Sequence, residues 1–432
     1  MAGGLEDTVN SPGWETRLSA LSLSGQMVAY ALGIVLARQL GVAGFESYVV
    51  ASAAFVLMVT LVPQGLEKYS LKLLPTLLDR GDAAGLLGFL RFSRRRVLLG
   101  ALLVGGAVGL WASWTDGLSA GMRAAIVVSC VSLPAGALVH LGLEVLTALG
   151  RASSAALVFR LVVPAMALVL ACIALAVYPG MPAAWAIAAW GLSWGLALAL
   201  MAAQFRRAAP PGLFRTEPVE RRRQWQAEAR PFWLYRVSLA VLAQAAVLAL
   251  EWLHPSPGTA VGAFAAAFST AAIAQVLATA TNRVYASRLS LLLANRDFDG
   301  IDRLRAERLR WLAAPLLVYL LVAFVFAREL IGLFRPEFVA EGATALRILA
   351  VSTALTTLLA MAPTYLKHQG ENRALFRGVA TAAVLLMVLL AVLVPLLGVA
   401  GAAVAHAVAS VFMYGNLARL AHRGLAQRQP GA

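Results

Sequence analysis

The 432-residue chain is 60% hydrophobic and 13% charged, with a mean hydropathy of +0.77, a composition that excludes a string of soluble domains and places the chain in a bilayer. Its formal charge of +15 comes from 36 Lys and Arg against 21 Asp and Glu. On a soluble protein that balance would point to nucleic acid, but in so apolar a chain the placement of the charges decides their meaning.

The opening, Met1 to Gly13, is polar and mildly acidic, unlike the basic start of a cleaved signal peptide. Twelve apolar runs follow, near residues 18–37, 44–66, 96–113, 121–142, 156–177, 183–205, 232–253, 260–281, 311–331, 345–366, 374–394 and 398–418. A spanning helix needs about 20 such residues. The runs are rich in Leu, Ala and Val with Gly interspersed, which fits closely packed helices and not barrel strands. The predicted fold class is an all-α integral membrane protein with twelve transmembrane helices. Cys130 and Cys172 sit inside apolar runs and suggest neither a disulfide framework nor a metal site.

The links at 67–95, 206–231 and 282–310 are long and basic, with Lys72, Arg94, Arg222 and Arg308 among their cations. The alternate links at 114–120, 178–182, 254–259 and 395–397 hold no Lys or Arg, and the link at 332–344 sets Arg335 against Glu337 and Glu341. The positive-inside rule then puts both termini and the basic links in the cytoplasm. The charge is thus first a topology signal. No nucleic-acid partner is expected, while the same arginines attract the anionic head groups of membrane lipids.

Sliding the sequence by half its length sets Glu67-Lys68-Tyr69-Ser70-Leu71-Lys72 over Arg283-Val284-Tyr285-Ala286-Ser287-Arg288, and Leu77-Leu78-Asp79-Arg80 over Leu293-Ala294-Asn295-Arg296. With equal numbers of runs on each side, this predicts two six-helix bundles, residues 1–205 and 232–432, joined by a basic cytoplasmic connector at 206–231. Six is even, so the halves enter the membrane the same way up. Parallel repeats of this kind leave a central cleft suited to alternating access. A duplication kept only for packing would leave the same pattern.

Cations cluster near the cytoplasmic ends of the runs: Lys68, Arg160, Arg236, Arg283 and Lys367. Each must snorkel, pair or line a wet cavity. As a set they are candidates for an inward-facing vestibule that binds phosphate, for which guanidinium has the bidentate geometry. Gln275, Thr279 and Asn282 share one helix face, as do Thr353, Thr357 and Thr364, and such faces look toward a polar path or toward other helices. Arg38, at the outer end of the first run, runs against the charge rule and has Glu251 as a candidate partner. Glu251 itself reads as an end anchor beside Trp252 or as a coupling group. The candidate substrate-binding residues are therefore Arg38, Lys68, Arg160, Arg236, Gln275, Asn282 and Arg283.

No phosphate-binding loop precedes Lys68, Lys72 or Lys367, and His140, His254, His368, His406 and His422 lack metal-ligand spacing. Asp79, Asp82, Asp297, Asp299 and Asp302 could be offered as the carboxylates of a polyprenyl-phosphate glycosyltransferase, but their basic surroundings favour interfacial helices. No catalytic residue, metal or cofactor is expected, and the chain does not read as an enzyme.

Gly33, Leu36-Ala37-Arg38-Gln39-Leu40-Gly41 and Gly44-Phe45-Glu46-Ser47-Tyr48 open a series of short motifs. Gly65-Leu66-Glu67, Phe232-Trp233-Leu234, Ala280-Thr281-Asn282 and Leu333-Phe334-Arg335-Pro336-Glu337-Phe338 follow, and then Ala362-Pro363. Their order over residues 22–370 resembles the polysaccharide transport family of lipid-linked oligosaccharide flippases, within the superfamily of multidrug, oligosaccharidyl-lipid and polysaccharide exporters. Glu46 and Arg335 stand where that family usually has glycine. The resemblance implies two six-helix bundles around a cationic cavity in the bacterial cytoplasmic membrane. It implies a polyprenyl-pyrophosphate-linked oligosaccharide as cargo for surface polysaccharide synthesis, with polymerase or ligase machinery as neighbours. Only Arg38 and Asn282 carry over from it residue by residue. The alternative is a multidrug or small-metabolite exporter of the same superfamily. An organic-cation exporter would want carboxylates deep in its spans, where this sequence shows mainly cations near their ends. A non-transporting scaffold would not need polar faces in both halves.

Overall fold

The computed structural model describes residues 14–254, 258–295 and 297–426, without the side chains of residues 14–20, 280, 283, 284, 287 and 424–426. Among the described residues every regular element is helical. In chain order these are α1 (Trp14–Leu61), α2 (Leu66–Asp79), α3 (Ala83–Trp114), α4 (Ala120–Ala148) and α5 (Ala152–Leu157), which runs through a π-turn (Val158–Val162) into α6 (Val163–Val177). Next come α7 (Ala183–Ala208), a 3-10 turn (Leu213–Arg215), α8 (Arg222–Leu253), α9 (Ala260–Ala271), α10 (Gln275–Ala294) and α11 (Phe298–Val325). The chain closes with α12 (Ala327–Gly332), α13 (Val339–Leu359), α14 (Ala362–His368) and α15 (Asn372–Ala426).

Ten helical stretches among the described residues are long and apolar enough to cross a membrane. Leu102, Leu103, Trp114, Leu317 and Leu396 are exposed on them, as side chains solvated by lipid would be. The chain is a multi-pass helical membrane protein. Two of the ten stretches include helices far longer than a bilayer requires. The 48 residues of α1 would reach about 70 Å at 1.5 Å per residue, against a hydrocarbon core of about 30 Å. Both α1 and α15 are interrupted by a non-helical glycine, Gly41 with φ 72° and Gly398 with φ 54°, conformations that a Cβ strongly disfavours.

The chain divides into two compact units, Ala20–Ala240 and Val241–Ala432, with the boundary inside α8. The first is built around aromatic rings: Phe55 lies 4.7 Å from Trp190 and 5.9 Å from Trp194, and Phe89 meets Trp225 edge-on at 5.3 Å. In the second, Phe264, Phe334 and Phe338 are fully buried, and the Phe338 ring fills the space a side chain at Gly262 would need. One turn occurs in both units. Asp82 accepts a 2.7 Å bond from the Gly85 amide and caps α3, and Asp297 does the same from Gly300 for α11. The amides of the two aspartates bond back to Leu77 and Leu292 at 2.9 and 3.0 Å.

The break between α1 and α2 positions the residues that follow. α1 ends at Leu61, whose carbonyl accepts a long 3.4 Å bond from the Gln64 amide and a 3.0 Å bond from the Trp233 indole. Gly65 then starts α2 at φ 80° with α8 pressed against it: a Cβ there would sit 2.6 Å from the Trp233 nitrogen and overlap the Ala229 carbonyl. Gly81 has a similar φ of 66° with nothing within 4 Å. Gly81→Ala should therefore cost about 1 kcal/mol for its backbone alone, and Gly65→Ala distinctly more. Thermal unfolding of the two variants in detergent, followed by tryptophan fluorescence, measures the difference.

Candidate functional site

The first turn of α2, placed by the Gly65 break, carries Glu67 and Lys68. Glu67 is withdrawn from solvent, its side chain only 2% exposed. A helix N-terminus favours a carboxylate, but a desolvated one also needs a cation. Arg236 of α8 supplies it, with Nε 3.6 Å from Glu67 Oε1 and a side chain 25% exposed. That separation makes an ion pair and not a hydrogen bond, and neither Glu67 oxygen accepts a hydrogen bond from a described group. The charges are matched, yet the pair is not latched. The other edge of the Arg236 guanidinium lies 3.5 Å from His140 Nδ1.

His140 and Glu144 are one helical turn apart on α4 and so share a face. The His140 ring stacks on Trp194 of α7, with centroids 5.7 Å apart, and meets Phe159 edge-on at 5.0 Å. Lys68 donates to Glu144 Oε1, the two side chains being 32% and 11% exposed. Two carboxylates and two cations thus alternate across α2, α4 and α8. Arg160 approaches α1 from the π-turn and donates to Ser22 Oγ. Pro164, in the first turn of α6, has no amide hydrogen to offer the Arg160 carbonyl four residues back. Gly25 of α1 lies against that carbonyl so closely that a Cβ would overlap it.

The second unit holds a polar cavity of about 170 Å³ lined by Gln275, Thr279, Asn282, Thr353, Thr357 and His406. Its edge is a helix break. α13 ends at Leu359, and Pro363 in the first turn of α14 cannot continue its hydrogen-bond ladder. Arg308 of α11, 4% exposed, reaches in and donates to the Leu358 carbonyl at 2.9 Å, the Thr357 carbonyl at 3.0 Å and Asn282 Oδ1 at 3.0 Å. Asn282 in turn donates to the Ala360 carbonyl at 3.0 Å. Its amide is committed at both ends.

Of the candidates from the sequence, Lys68, Arg160 and Arg236 lie on helices of the first unit, and Gln275 and Asn282 line the cavity of the second. Arg38 is exposed on α1 just before Gly41. The side chain of Arg283 lies outside the described residues. Sequence reasoning missed Glu67, His140 and Glu144 as members of the cluster, although an imidazole and a carboxylate one turn apart beside an apolar run were a visible signal. It also placed Arg308 among exposed connector cations, whereas the structure buries it. No group of three or more His, Cys, Asp or Glu able to hold a metal occurs among the described residues.

No family model and no curated protein matches the chain. Solved structures do. An inward-facing multidrug resistance MATE family transporter of the MOP superfamily aligns with a TM-score of 0.76 and 16% identity, over 95% of this chain and 100% of that one. A mutant of the Vibrio cholerae MATE transporter VcmN aligns at 0.66 and 16% identity, over 96% and 97%. A MOP superfamily transporter from Pyrococcus furiosus, described as having a binding pocket of reverse polarity that suggests a different function, aligns at 0.61 and 15% identity, over 98% of each chain. At such identities the likeness establishes the fold.

These likenesses correct the expectation of a polysaccharide-family flippase. With it go the polyprenyl-pyrophosphate-linked oligosaccharide as cargo and the polymerase or ligase machinery as neighbours. The physical reasons are local. The motifs that carried the resemblance, around Gly41, Gly65, Pro336 and Pro363, sit where helices break or begin, so they mark architecture and not cargo. Lys68 and Arg236 already face Glu144 and Glu67, and so do not form an open cradle for a pyrophosphate.

Removing Glu67 leaves Arg236 without its carboxylate but still partly solvated. Glu67→Ala should therefore lower stability by about 1–2 kcal/mol, less than for a fully buried pair, while adding Arg236→Ala should recover about 0.5–1 kcal/mol of coupling. A double-mutant cycle on thermal unfolding in detergent reads both.

Proposed function

We propose that the chain exports small molecules, drugs or small metabolites, by a transport cycle with no catalytic step. One observation carries this reading: two carboxylates withdrawn from solvent, each matched by a partly exposed cation where α2, α4 and α8 meet, on a fold that follows MATE-type transporters over nearly its whole length. Charge withdrawn from solvent in a membrane protein is costly and by default marks a functional site. The cargo carries a charged group on an apolar body. A cargo ammonium takes the place of Lys68 on Glu144, or a cargo carboxylate takes the place of Glu144 on Lys68, and the freed partner is then compensated within the cluster by Arg236, Glu67 or Arg160. The unlatched Glu67–Arg236 pair favours such exchange, because no directional hydrogen bond has to break. Gln275, exposed at the polar cavity, is the candidate contact in the second unit, with Arg38 and Arg283 as outlying cations.

The same reading takes Gly41 and Gly398 as turns between crossings. The ten long stretches then become twelve crossings, six in each half, with both termini and the arginine-rich links on the cytoplasmic side of the cytoplasmic membrane.

The test is accumulation of fluorescent cationic, zwitterionic and anionic probes in cells stripped of their own exporters. Cells making the protein should retain less of at least one probe class. Glu144→Gln should reduce export of a cationic probe, and Lys68→Gln that of an anionic one, roughly tenfold or more, the value of one charge-assisted contact. Retention equal to the empty-vector control for all three classes, with the protein present in the membrane, overturns the proposal.

A further inference from the structure

Away from the charged cluster, at the end of the first unit that bears the basic links, α3, α4 and α7 enclose an apolar groove of about 430 Å³. Its floor is hydrocarbon: Leu87, Leu141 and Met201 are buried along it. Gly142 keeps the trough open, since even a Cβ there would come within 3.3 Å of the Met201 sulfur. Phe214, exposed in the 3-10 turn, closes one end, its ring 6.4 Å from that of Phe205 on α7. Arg91 and Arg94 stand over the trough one turn apart on α3.

Lys72, Arg221 and Arg222 pair with Glu228, Asp82 and Glu220. Arg91 and Arg94, like Arg95, Arg206 and Arg207, make no ion pair among the described residues, and they differ from those three in lining the groove. Two uncompensated guanidinium groups beside an apolar trough about 10 Å long, the seven helical steps of α3 from Leu87 to Arg94, ask for a ligand that is anionic at one end and hydrocarbon at the other. Basic pockets between transmembrane helices hold anionic lipid head groups in this way.

We propose that this groove binds one anionic phospholipid, its phosphate on Arg91 and Arg94 and an acyl chain along Leu138, Leu141 and Leu198 toward the bilayer core. The site lies outside the charged cluster and does not depend on the transport reading. The test is native mass spectrometry of the full-length protein taken from phosphatidylglycerol/phosphatidylcholine nanodiscs. One phosphatidylglycerol should be retained in preference to phosphatidylcholine. Arg91→Gln with Arg94→Gln should weaken that retention roughly ten- to thirtyfold, the value of two interfacial guanidinium groups. Gly142→Leu, which fills the trough and leaves both arginines in place, should also reduce it. Arg206→Gln with Arg207→Gln, at the exposed end of α7, should leave it unchanged. Equal retention of the two lipids, an equal loss in the α7 pair, or full retention in Gly142→Leu overturns the site.

Discussion

A carboxylate taken out of water inside a membrane-spanning unit has to be met by a cation, and this requirement organises the first unit. Glu67 sits at the start of α2 because Gly65 breaks the chain there, and α8 brings Arg236 alongside it. Glu144 has Lys68 in the same way. Separating either pair without a substitute strands a charge in low dielectric. Cargo exchange within the cluster avoids that cost only if every freed group finds another partner, and the alternation of Glu67, Arg236, Lys68 and Glu144 across three helices provides one at each step. His140, held between Trp194 and Phe159, borders Arg236.

Both units also solve the problem that every interrupted membrane helix poses, namely backbone carbonyls that lose their amide partners where water is scarce. In the first unit the Trp233 indole takes the Leu61 carbonyl at the α1–α2 break. In the second, Arg308 and Asn282 together take Thr357, Leu358 and Ala360 where α13 gives way to α14. One unit thus uses its arginine against carboxylates and the other against carbonyls. Arg236 keeps a salt-bridge geometry open to competition, while Arg308 is fixed by three directional bonds.

The apolar runs made the membrane class and the helical elements legible, because about 20 consecutive apolar residues admit few other structures. The glycines at 41 and 398 fall between or at the edge of predicted runs, where positive φ was needed. The pairings were not legible. Lys68 and Glu144 lie 76 positions apart, and only the packing of α2 on α4 brings them together. Glu144 reads in the sequence as a charge just past the end of a run, and Arg308 as one more cation in a basic link. Cations without their carboxylates look like a phosphate cradle, and the resemblance of a few turn motifs points to a cargo that the structural likenesses do not support. The π-turn at Arg160 depends on Pro164 and on the close approach of Gly25, and only the first of these is visible in the local sequence.

The most direct test of the paired-charge account is to reverse one pair and measure export. Lys68→Glu and Glu144→Lys each place like charges together and should abolish probe export, whereas the double reversal rebuilds the pair with its sign exchanged and should restore most of it. Wild-type export in either single variant, or no recovery in a double variant that melts at the wild-type temperature, would contradict the account.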